Sequence, residues 1–387
     1  PGRLAQDLAL SYRKTPGGLE RIAFTFTQAT PAGAMSSTAH DIALFMITLL
    51  DSGMYHGRRI LTPASAARML NAQYTPHPRV WGMTHGLAEY HLRGQRAAIM
   101  GGDLGGYACM MALFPEHRLG LFAVANAPDG VNLLDPFAER YFSAPPLEPV
   151  APRPEFTGHL GRFAGTYRSN RYPRSDFTKM TGLTVQFPVR VGPDGVLNRW
   201  GTRWVEEDSL VFRRVDREEY MVFRQDKRGR IAQLVAWNGV FDRIAWYETA
   251  MFHMVVAVTF ALAFSAPLVA ALLRVVLRRP HASAARPRWL VGAGLALCAT
   301  NVVFLVSLGV AFARARSLVD FPVWLAALLA LPLSSLVGTL VLGIGTVRVS
   351  SLGIGSPRER VASLILFLVS GAFIAWLMYW NLLGIPR

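Results

Sequence analysis

Residues 97–126, "AAIMGGDLGGYACMMALFPEHRLGLFAVAN", decide the fold of the first part of the chain. Two apolar, strand-like runs flank a tight glycine turn at Gly101–Gly102, and a second glycine pair follows at Gly105–Gly106. Glycine in such places lets the backbone adopt a positive φ, or lets another group approach the backbone closely. The stretch therefore predicts antiparallel strands, and it raises the question of whether a substrate lies against these glycines.

The surrounding residues 31–145 alternate helices and strands. A helix is predicted over residues 36–53, with Thr38 as its N-cap, and its apolar residues recur with helical spacing. A second helix is predicted over residues 61–73, where Pro63 occupies the first helical position. Short runs of apolar and β-branched residues predict strands near residues 86–92, 95–100, 107–114 and 119–125.

A proline-rich linker over residues 146–156 separates a first domain, residues 1–145, from a second domain, residues 157–248. In the second domain, short strands alternate with turn signals such as the Gly-Pro-Asp-Gly sequence at 192–195. Regular short strands without helical periodicity predict a small antiparallel β-barrel, lipocalin-like in kind, or a sandwich. A barrel of this size holds a ligand or serves as a spacer, and the sequence leaves both open.

The last part of the chain, residues 249–387, contains four long apolar runs. Each run exceeds the ~20 residues that a helix needs to cross the hydrocarbon core of a bilayer. Polar residues within the runs are sparse, so we interpret the predicted four-helix transmembrane bundle as an anchor rather than a transport pathway. A channel or a lipid site is the alternative. The runs lie at about residues 250–273, 289–313, 321–347 and 361–383.

The formal net charge of +15 could suggest a nucleic-acid partner, but most of the excess lies between the apolar runs. That distribution is typical of a membrane protein and argues against nucleic acid. The loops after the first and third runs carry more arginine than the second loop and the tail. The positive-inside rule therefore predicts that the soluble domains lie on the extracytoplasmic side, periplasmic or extracellular, of a multi-pass cell-membrane protein.

Metal and cofactor chemistry finds little support in the sequence. The two cysteines, Cys109 and Cys298, both lie in apolar runs and cannot form a disulfide framework or a zinc site. The histidines His77, His85 and His91 are eight and six residues apart, a spacing that places them on no common helical face. We therefore predict no metal and no cofactor.

Two segments resemble a known family. "PAGAMSSTAHDIALFMITLLDSG" (31–53) and the glycine-bearing strand pair (99–126) look like segments of the β-lactamase-related serine hydrolases, in the penicillin-binding-protein and class C β-lactamase superfamily. The resemblance implies a multidomain protein: part of an α/β, β-lactamase/transpeptidase-like domain, a small barrel and a membrane anchor. The family uses a Ser-x-x-Lys nucleophile motif, a Tyr-x-Asn motif, and a third motif, Lys-Thr-Gly or His-x-Gly, on the central strand.

By resemblance, Met100, Gly101 and Gly102 occupy the third motif, and the N–H of Asp103 contributes to the oxyanion hole. Methionine replaces the usual lysine or histidine, and a thioether carries no charge and donates no proton. No Ser-x-x-Lys lies where the family places it, so we expect the first two motifs upstream of Pro1 and the chain alone, as an N-terminally truncated piece, to be inactive. The residues expected to contact substrate are Gly105, Gly106 and Tyr107.

The expected function of the longer protein is that of a membrane-anchored extracytoplasmic serine hydrolase. It would act through an acyl-enzyme on an ester, an amide, a D-amino-acid peptide or a β-lactam-like small molecule. The lipid bilayer is its other expected partner, and the oligomeric state is left open. Three alternatives remain: a degenerate member that binds cell-wall or lipid-linked ligands, a protein whose membrane bundle is the functional part, and glycines that serve only a strand and turn packed under a helix.

Overall fold

The structure is a computed structural model. In it, the chain forms two compact units. The first unit comprises Pro1–Asn170 and Phe187–Arg243, and the second comprises Arg171–Gln186 and Ile244–Arg387. The structure describes residues 7–24, 30–104, 106–127, 133–143, 148–277, 287–314 and 328–383.

The first unit contains a four-stranded antiparallel sheet in the order β5-β6-β7-β8. A short hairpin of β1 (Ser11–Thr15) and β2 (Gly18–Ile22) precedes it, and a two-stranded ribbon, β3 (Met54–Tyr55) and β4 (Arg58–Arg59), lies between. The sheet strands are β5 (Ala88–Leu92), β6 (Gln95–Leu104), β7 (Tyr107–Phe114) and β8 (Leu119–Ala125).

The predicted glycine turn at Gly101–Gly102 is wrong. Both residues lie inside β6, which continues to Leu104 and pairs with β7 over seven consecutive positions. The reversal comes instead after Leu104, which pairs with Tyr107. A glycine pair weakens a strand but does not end it when every residue still has a ladder partner, and here the neighbouring strand supplies those partners. Gly105 lies outside the described residues.

Two capped helices cover part of one face of the sheet. Helix α1 (Ala39–Leu50) begins at Thr38, whose Oγ1 accepts a hydrogen bond from the N–H of Asp41 at 3.1 Å. Its buried residue Met46 packs on β8 at Gly120, where an added Cβ would lie only 2.4 Å from the Met46 Cε. Helix α2 (Pro63–Leu70) follows, and α3 (Leu134–Tyr141) contributes Leu134 and Ala138 to the core on the other face.

The second part of this unit is a closed, eight-stranded antiparallel barrel in the order β10-β11-β12-β13-β14-β15-β16-β9. The predicted small antiparallel barrel is therefore confirmed, and the sandwich alternative is wrong. Inward-facing aromatic rings, including Phe163, Tyr167, Phe212 and Phe223, fill its core. The strands are β9 (Gly165–Ser169), β10 (Gln186–Val191), β11 (Leu197–Arg199), β12 (Thr202–Asp208), β13 (Val211–Arg214), β14 (Tyr220–Gln225), β15 (Ile231–Ala236) and β16 (Gly239–Ile244).

The sheet and the barrel pack against each other within the first unit. Val80, from the loop before β5, joins a buried cluster with valines on the outer face of the barrel, among them Val222. Arg217 donates to the Tyr90 hydroxyl at 2.6 Å and pairs with the Asp135 carboxylate at 3.1 Å. Apolar burial and a partly buried ion pair therefore connect the two predicted domains independently of the proline-rich linker.

In the described part of the second unit, four helices are long and apolar enough to cross a membrane. Glycines allow two of them to approach closely, since a Cβ at Gly338 would lie 3.0 Å from a Leu297 methyl group. Of the arginines expected in the first two loops, Arg274, Arg288 and Arg314 lie in the described helices, and the others lie outside the described residues. The helices are α4 (Ala250–Val276), α5 (Arg288–Arg314), α6 (Leu331–Ser351) and α7 (Pro357–Tyr379).

The segment Arg171–Gln186 belongs to the same unit as these helices. Its Met180 joins the buried cluster that the helices form around Phe373 and Trp380. His253, near the start of α4, is buried in that cluster, and its Nδ1 accepts hydrogen bonds from the indole N–H groups of Trp376 at 3.2 Å and Trp380 at 3.3 Å. The segment Arg171–Gln186, the start of α4 and the end of α7 are thus held together by packing around aromatic rings.

Candidate active-site strand

The outer half of β6 has one open edge. On one side, Met100 to Leu104 pair with β7, but on the other side the pairing with β5 stops at Ile99 opposite Ala88. Among the described residues, the backbone from Met100 to Leu104 therefore has no strand partner on the β5 side. An edge of this kind presents N–H and C=O groups that an extended chain can pair with.

Side chains alternate between the two faces of β6, which separates the four predicted catalytic residues into two pairs. Met100 is paired with Met111, which packs in the cluster beneath α1, so Met100 and Gly102 belong to the α1 face. Gly101 and Asp103 belong to the opposite face. Met100 is 51% exposed. Because α1 packs over β8, no described residue covers the α1 face of β6 at Met100 and Gly102.

Neither packing nor backbone conformation requires glycine at positions 101 and 102. Neither residue has a positive φ, and an added Cβ would meet nothing closer than 3.4 Å, at the Sγ of Cys109. Gly106 is different, because its φ is +87° and an added Cβ would lie 2.9 Å from the Ser11 Cβ. The fold therefore requires glycine at 106, while the two glycines of β6 leave space on an open edge.

The structure gives packing roles to two of the residues predicted to contact substrate. Gly106 lies against Ile22 and Ser11 of the N-terminal hairpin. The Tyr107 hydroxyl donates to the Ala9 carbonyl in the same region. Met100 to Asp103 thus lie together on the open edge, and Gly106 and Tyr107 lie where the sheet meets the hairpin.

One tetrapeptide, Ser11-Tyr12-Arg13-Lys14, has the letters of the nucleophile motif, which the sequence reasoning did not single out. A serine and a lysine three positions apart share one face of a helix, but these residues lie in β1, where positions three apart point to opposite sides. Ser11 is 2% exposed, and its hydroxyl donates to the Ile22 carbonyl at 3.4 Å. This serine therefore has a structural role.

The histidines considered as metal ligands have other contacts. His91 stacks on Trp81 and lies 3.3 Å from a Glu89 carboxylate oxygen. The His77 Nδ1 accepts the N–H of Arg79, and burial lowers the pKa of His77, as does the charge of Arg224 to a smaller extent. Among the residues that the structure describes, no three His, Cys, Asp or Glu side chains are grouped as metal ligands would be.

Sequence reasoning missed a buried arginine in the barrel. In β11, Arg199 lies two positions after the inward-facing Leu197, so it lies on the same inner face of the barrel, and it is 3% exposed. Its guanidinium lies 4.9 Å from the ring centre of Phe187 and 4.6 Å from that of Trp200. Its Nη2 donates to Asn238 at 3.2 Å. Burial lowers the pKa of Arg199 to about 10, against an opposing effect of a nearby carboxylate.

Comparison with known proteins yields one sequence relative and distant structural similarities. The human protein beta-lactamase-like 1 is 39% identical over 101 residues, which cover 25% of this chain and 19% of that protein. A crystal structure of SurE shares 17% identity with a TM-score of 0.40, covering 61% of this chain and 56% of SurE.

An octameric penicillin-binding protein homologue from Pyrococcus abyssi also shares 17% identity, with a TM-score of 0.30, covering 62% of this chain and 55% of that chain. No protein-family model matches the sequence. The chain thus spans about a fifth of the curated relative it matches, and over that short stretch it is related to a β-lactamase-like protein.

Proposed function

We propose that this chain forms part of a membrane-anchored serine hydrolase related to the β-lactamases and penicillin-binding proteins. The observation that carries the proposal is the open edge of β6, where two glycines that the fold does not require follow an exposed Met100. The short sequence relationship to a β-lactamase-like protein supports it. The substrate would be an ester, an amide or a D-amino-acid peptide.

In this proposal, β6 is one wall of the catalytic cleft. An extended substrate pairs with the free backbone groups of residues 100–104, which holds its scissile carbonyl at a fixed depth along the strand. The N–H of Asp103 is the donor that stabilises the oxyanion of the tetrahedral intermediate. The absence of Cβ atoms at Gly101 and Gly102 lets the substrate backbone come within hydrogen-bonding distance of the strand.

None of the described residues is assigned the role of nucleophile. Ser11 is buried and engaged, and Met100 cannot donate or accept a proton in place of the usual lysine or histidine. We assign to this chain the wall of the cleft and the anchor. The serine that forms the acyl-enzyme, and the amine that activates it, are assigned elsewhere in the natural protein.

The experiment is acylation of the natural protein in its own membrane. Membranes are treated with a fluorescent fluorophosphonate or a fluorescent penicillin, and labelled bands are resolved by denaturing electrophoresis. We expect covalent label on this protein that is blocked by prior treatment with the unlabelled reagent. Absence of label with both reagents, in membranes where a known serine hydrolase is labelled, would contradict the proposal.

A second candidate function, ligand binding without turnover, is favoured by Met100. A thioether at the third motif removes the proton donor or charge that the family places there, but it leaves the strand edge intact. A binding protein of this kind would retain a cell-wall peptide or a lipid-linked ligand without acylation. Saturable binding of a D-alanyl-D-alanine peptide, with no covalent label from either reagent, would support this candidate over the hydrolase.

We also propose that the first unit lies outside the cytoplasm. The support is the distribution of arginine in the sequence. The loops that follow α4 and α6 carry more arginine, which places the C-terminal ends of these two helices on the cytoplasmic side. Trypsin added to intact spheroplasts then cleaves the first unit, which is rich in arginine. Protection of that unit in intact spheroplasts, with cleavage only after lysis, would reverse the orientation.

A further inference from the structure

An apolar groove runs along the surface of α6 beside α7. Its volume is about 590 Å³. The lining residues are Leu340, Gly343, Ile344, Val347 and Arg348 from α6 and Phe367 from α7.

The groove exists because glycine stands at position 343. A Cβ there would lie 2.5 Å from Cε2 of Phe367, so the phenylalanine ring rests directly on the backbone of α6 and forms the floor. Leu340, Ile344 and Val347 form the walls, and each is more than half exposed. On a helix long and apolar enough to cross a membrane, these exposed side chains face hydrocarbon.

The groove has the length of an acyl chain within one leaflet. From Leu340 to Arg348 the helix rises about 12 Å at ~1.5 Å per residue. One leaflet of the hydrocarbon core is about 15 Å thick. Arg348 lies in the last turn of α6, so its long side chain reaches the interface where lipid headgroups lie.

The charge at this end of the groove is positive. No carboxylate among the described residues forms an ion pair with Arg348, and the first turn of α7 adds Arg358 and Arg360. The one acid there, Glu359, accepts the N–H of Ser356 at 2.9 Å in a capping box. A guanidinium binds a phosphate through paired hydrogen bonds, and basic residues at a membrane interface favour anionic lipids.

We propose that this groove is a binding site for an anionic phospholipid. One acyl chain lies along Leu340, Ile344 and Val347 over the Phe367 ring, and the phosphate pairs with Arg348. The site discriminates by headgroup charge, because a zwitterionic lipid carries its own cation beside the phosphate and gains less from the arginines.

The test is native mass spectrometry of the full chain in detergent, with added phosphatidylglycerol or phosphatidylcholine of identical acyl chains. We expect phosphatidylglycerol to be retained more strongly. Arg348→Gln should lower the affinity for phosphatidylglycerol about tenfold, the effect of losing one charge-assisted hydrogen-bond pair, and leave phosphatidylcholine unchanged. The matched control is Arg274→Gln, in the last turn of α4 and outside the groove, which should change either affinity less than twofold.

A second variant, Ile344→Trp, fills the groove and should lower retention of both lipids, with helix content checked by circular dichroism. Equal loss in Arg348→Gln and Arg274→Gln would overturn the proposal, because it would indicate only a general attraction to positive charge. Equal binding of the two lipids by the unmodified chain would overturn it regardless of the variants.

Discussion

The contrast between Gly106 and Gly102 gives the sharpest prediction about the sheet. Gly106→Ala places an L residue at φ +87° and sets its Cβ 2.5 Å from Ile22 Cδ1 and 2.9 Å from the Ser11 Cβ. The left-handed conformation costs about 1–2 kcal/mol. Displacing two packed atoms costs about 1–3 kcal/mol more. Lower entropy of the unfolded chain offsets about 0.4–1 kcal/mol. The expected net loss is about 1–5 kcal/mol, with a middle value of about 3 kcal/mol.

Gly102→Ala is the matched control. Its new Cβ meets nothing closer than 3.4 Å, and φ is not positive, so local stability should change by less than about 0.5 kcal/mol or rise slightly. The assay is native-state hydrogen exchange of the full chain in detergent, read in peptides that cover β1, β2 and the β6–β7 turn.

Gly106→Ala should speed exchange in these peptides at least about fivefold, and about a hundredfold at the middle value, since 1.4 kcal/mol is tenfold. Unchanged exchange in Gly106→Ala, or equal acceleration in Gly102→Ala, would refute the reasoning. Either result would mean that the fold does not require glycine at position 106 while tolerating a side chain at position 102.

Two further predictions concern the barrel and its contact with the sheet. Arg217→Ala removes the hydrogen bond to Tyr90 and the ion pair with Asp135, both partly buried, and should lower the stability of the first unit by about 1–2 kcal/mol in a urea titration; an unchanged midpoint would show that this contact is unimportant. Burial raises the pKa of Tyr167, whose hydroxyl donates to the Phe163 carbonyl at 2.8 Å. The protonated Tyr167 therefore contributes its full stabilisation of the fold below the ordinary phenol pKa near 10. That stabilisation is lost as the pH rises from there toward the raised pKa of the folded state. Tyr167→Phe should be less stable than the unmodified protein at pH 8, but its free energy of unfolding should fall less steeply above pH 10. Equal slopes of unfolding free energy against pH in the two proteins would contradict this role for Tyr167.

The barrel and the membrane helices were the most accessible parts of the fold from sequence. Short alternating strands with turns such as Gly-Pro-Asp-Gly are local signals, as are apolar runs longer than ~20 residues. Closure into a barrel was not local. It depends on pairing the first strand, β9, with both β10 and β16, and no short stretch of sequence encodes that.

The glycine turn was misjudged for a related reason. Gly101–Gly102 has the composition of a turn, but β7 offers a complete ladder of partners and keeps β6 extended to Leu104. A local turn signal gives way when a neighbouring strand pairs with the segment along its whole length. Gly106, in the reversal after Leu104, has a positive φ that a strand does not use.

Burial of polar groups could not be inferred from the sequence. Arg199 reads as one of many arginines on short strands, and only the closed barrel surrounds it with Phe187, Trp200 and Phe241. Ser11 and Lys14 have the spacing of the Ser-x-x-Lys motif in the sequence. Only the structure shows that they lie in a strand, where their side chains point to opposite sides. The residues predicted for the site, Met100 to Asp103, lie together at the outer end of β6, and their catalytic role stays a prediction. The open edge there follows from where β5 ends.

The proposed catalytic cleft depends on the β6 edge forming one of its walls. The most direct measurement is the rate of fluorophosphonate acylation of the natural protein in membranes, compared between Gly102→Val and Gly158→Val. Gly158 is exposed, has φ −72° and has nothing within 4 Å of an added Cβ, so it controls for the added side chain. We expect Gly102→Val to slow acylation at least tenfold and Gly158→Val to leave it unchanged. Equal acylation rates in the two variants would contradict the claim.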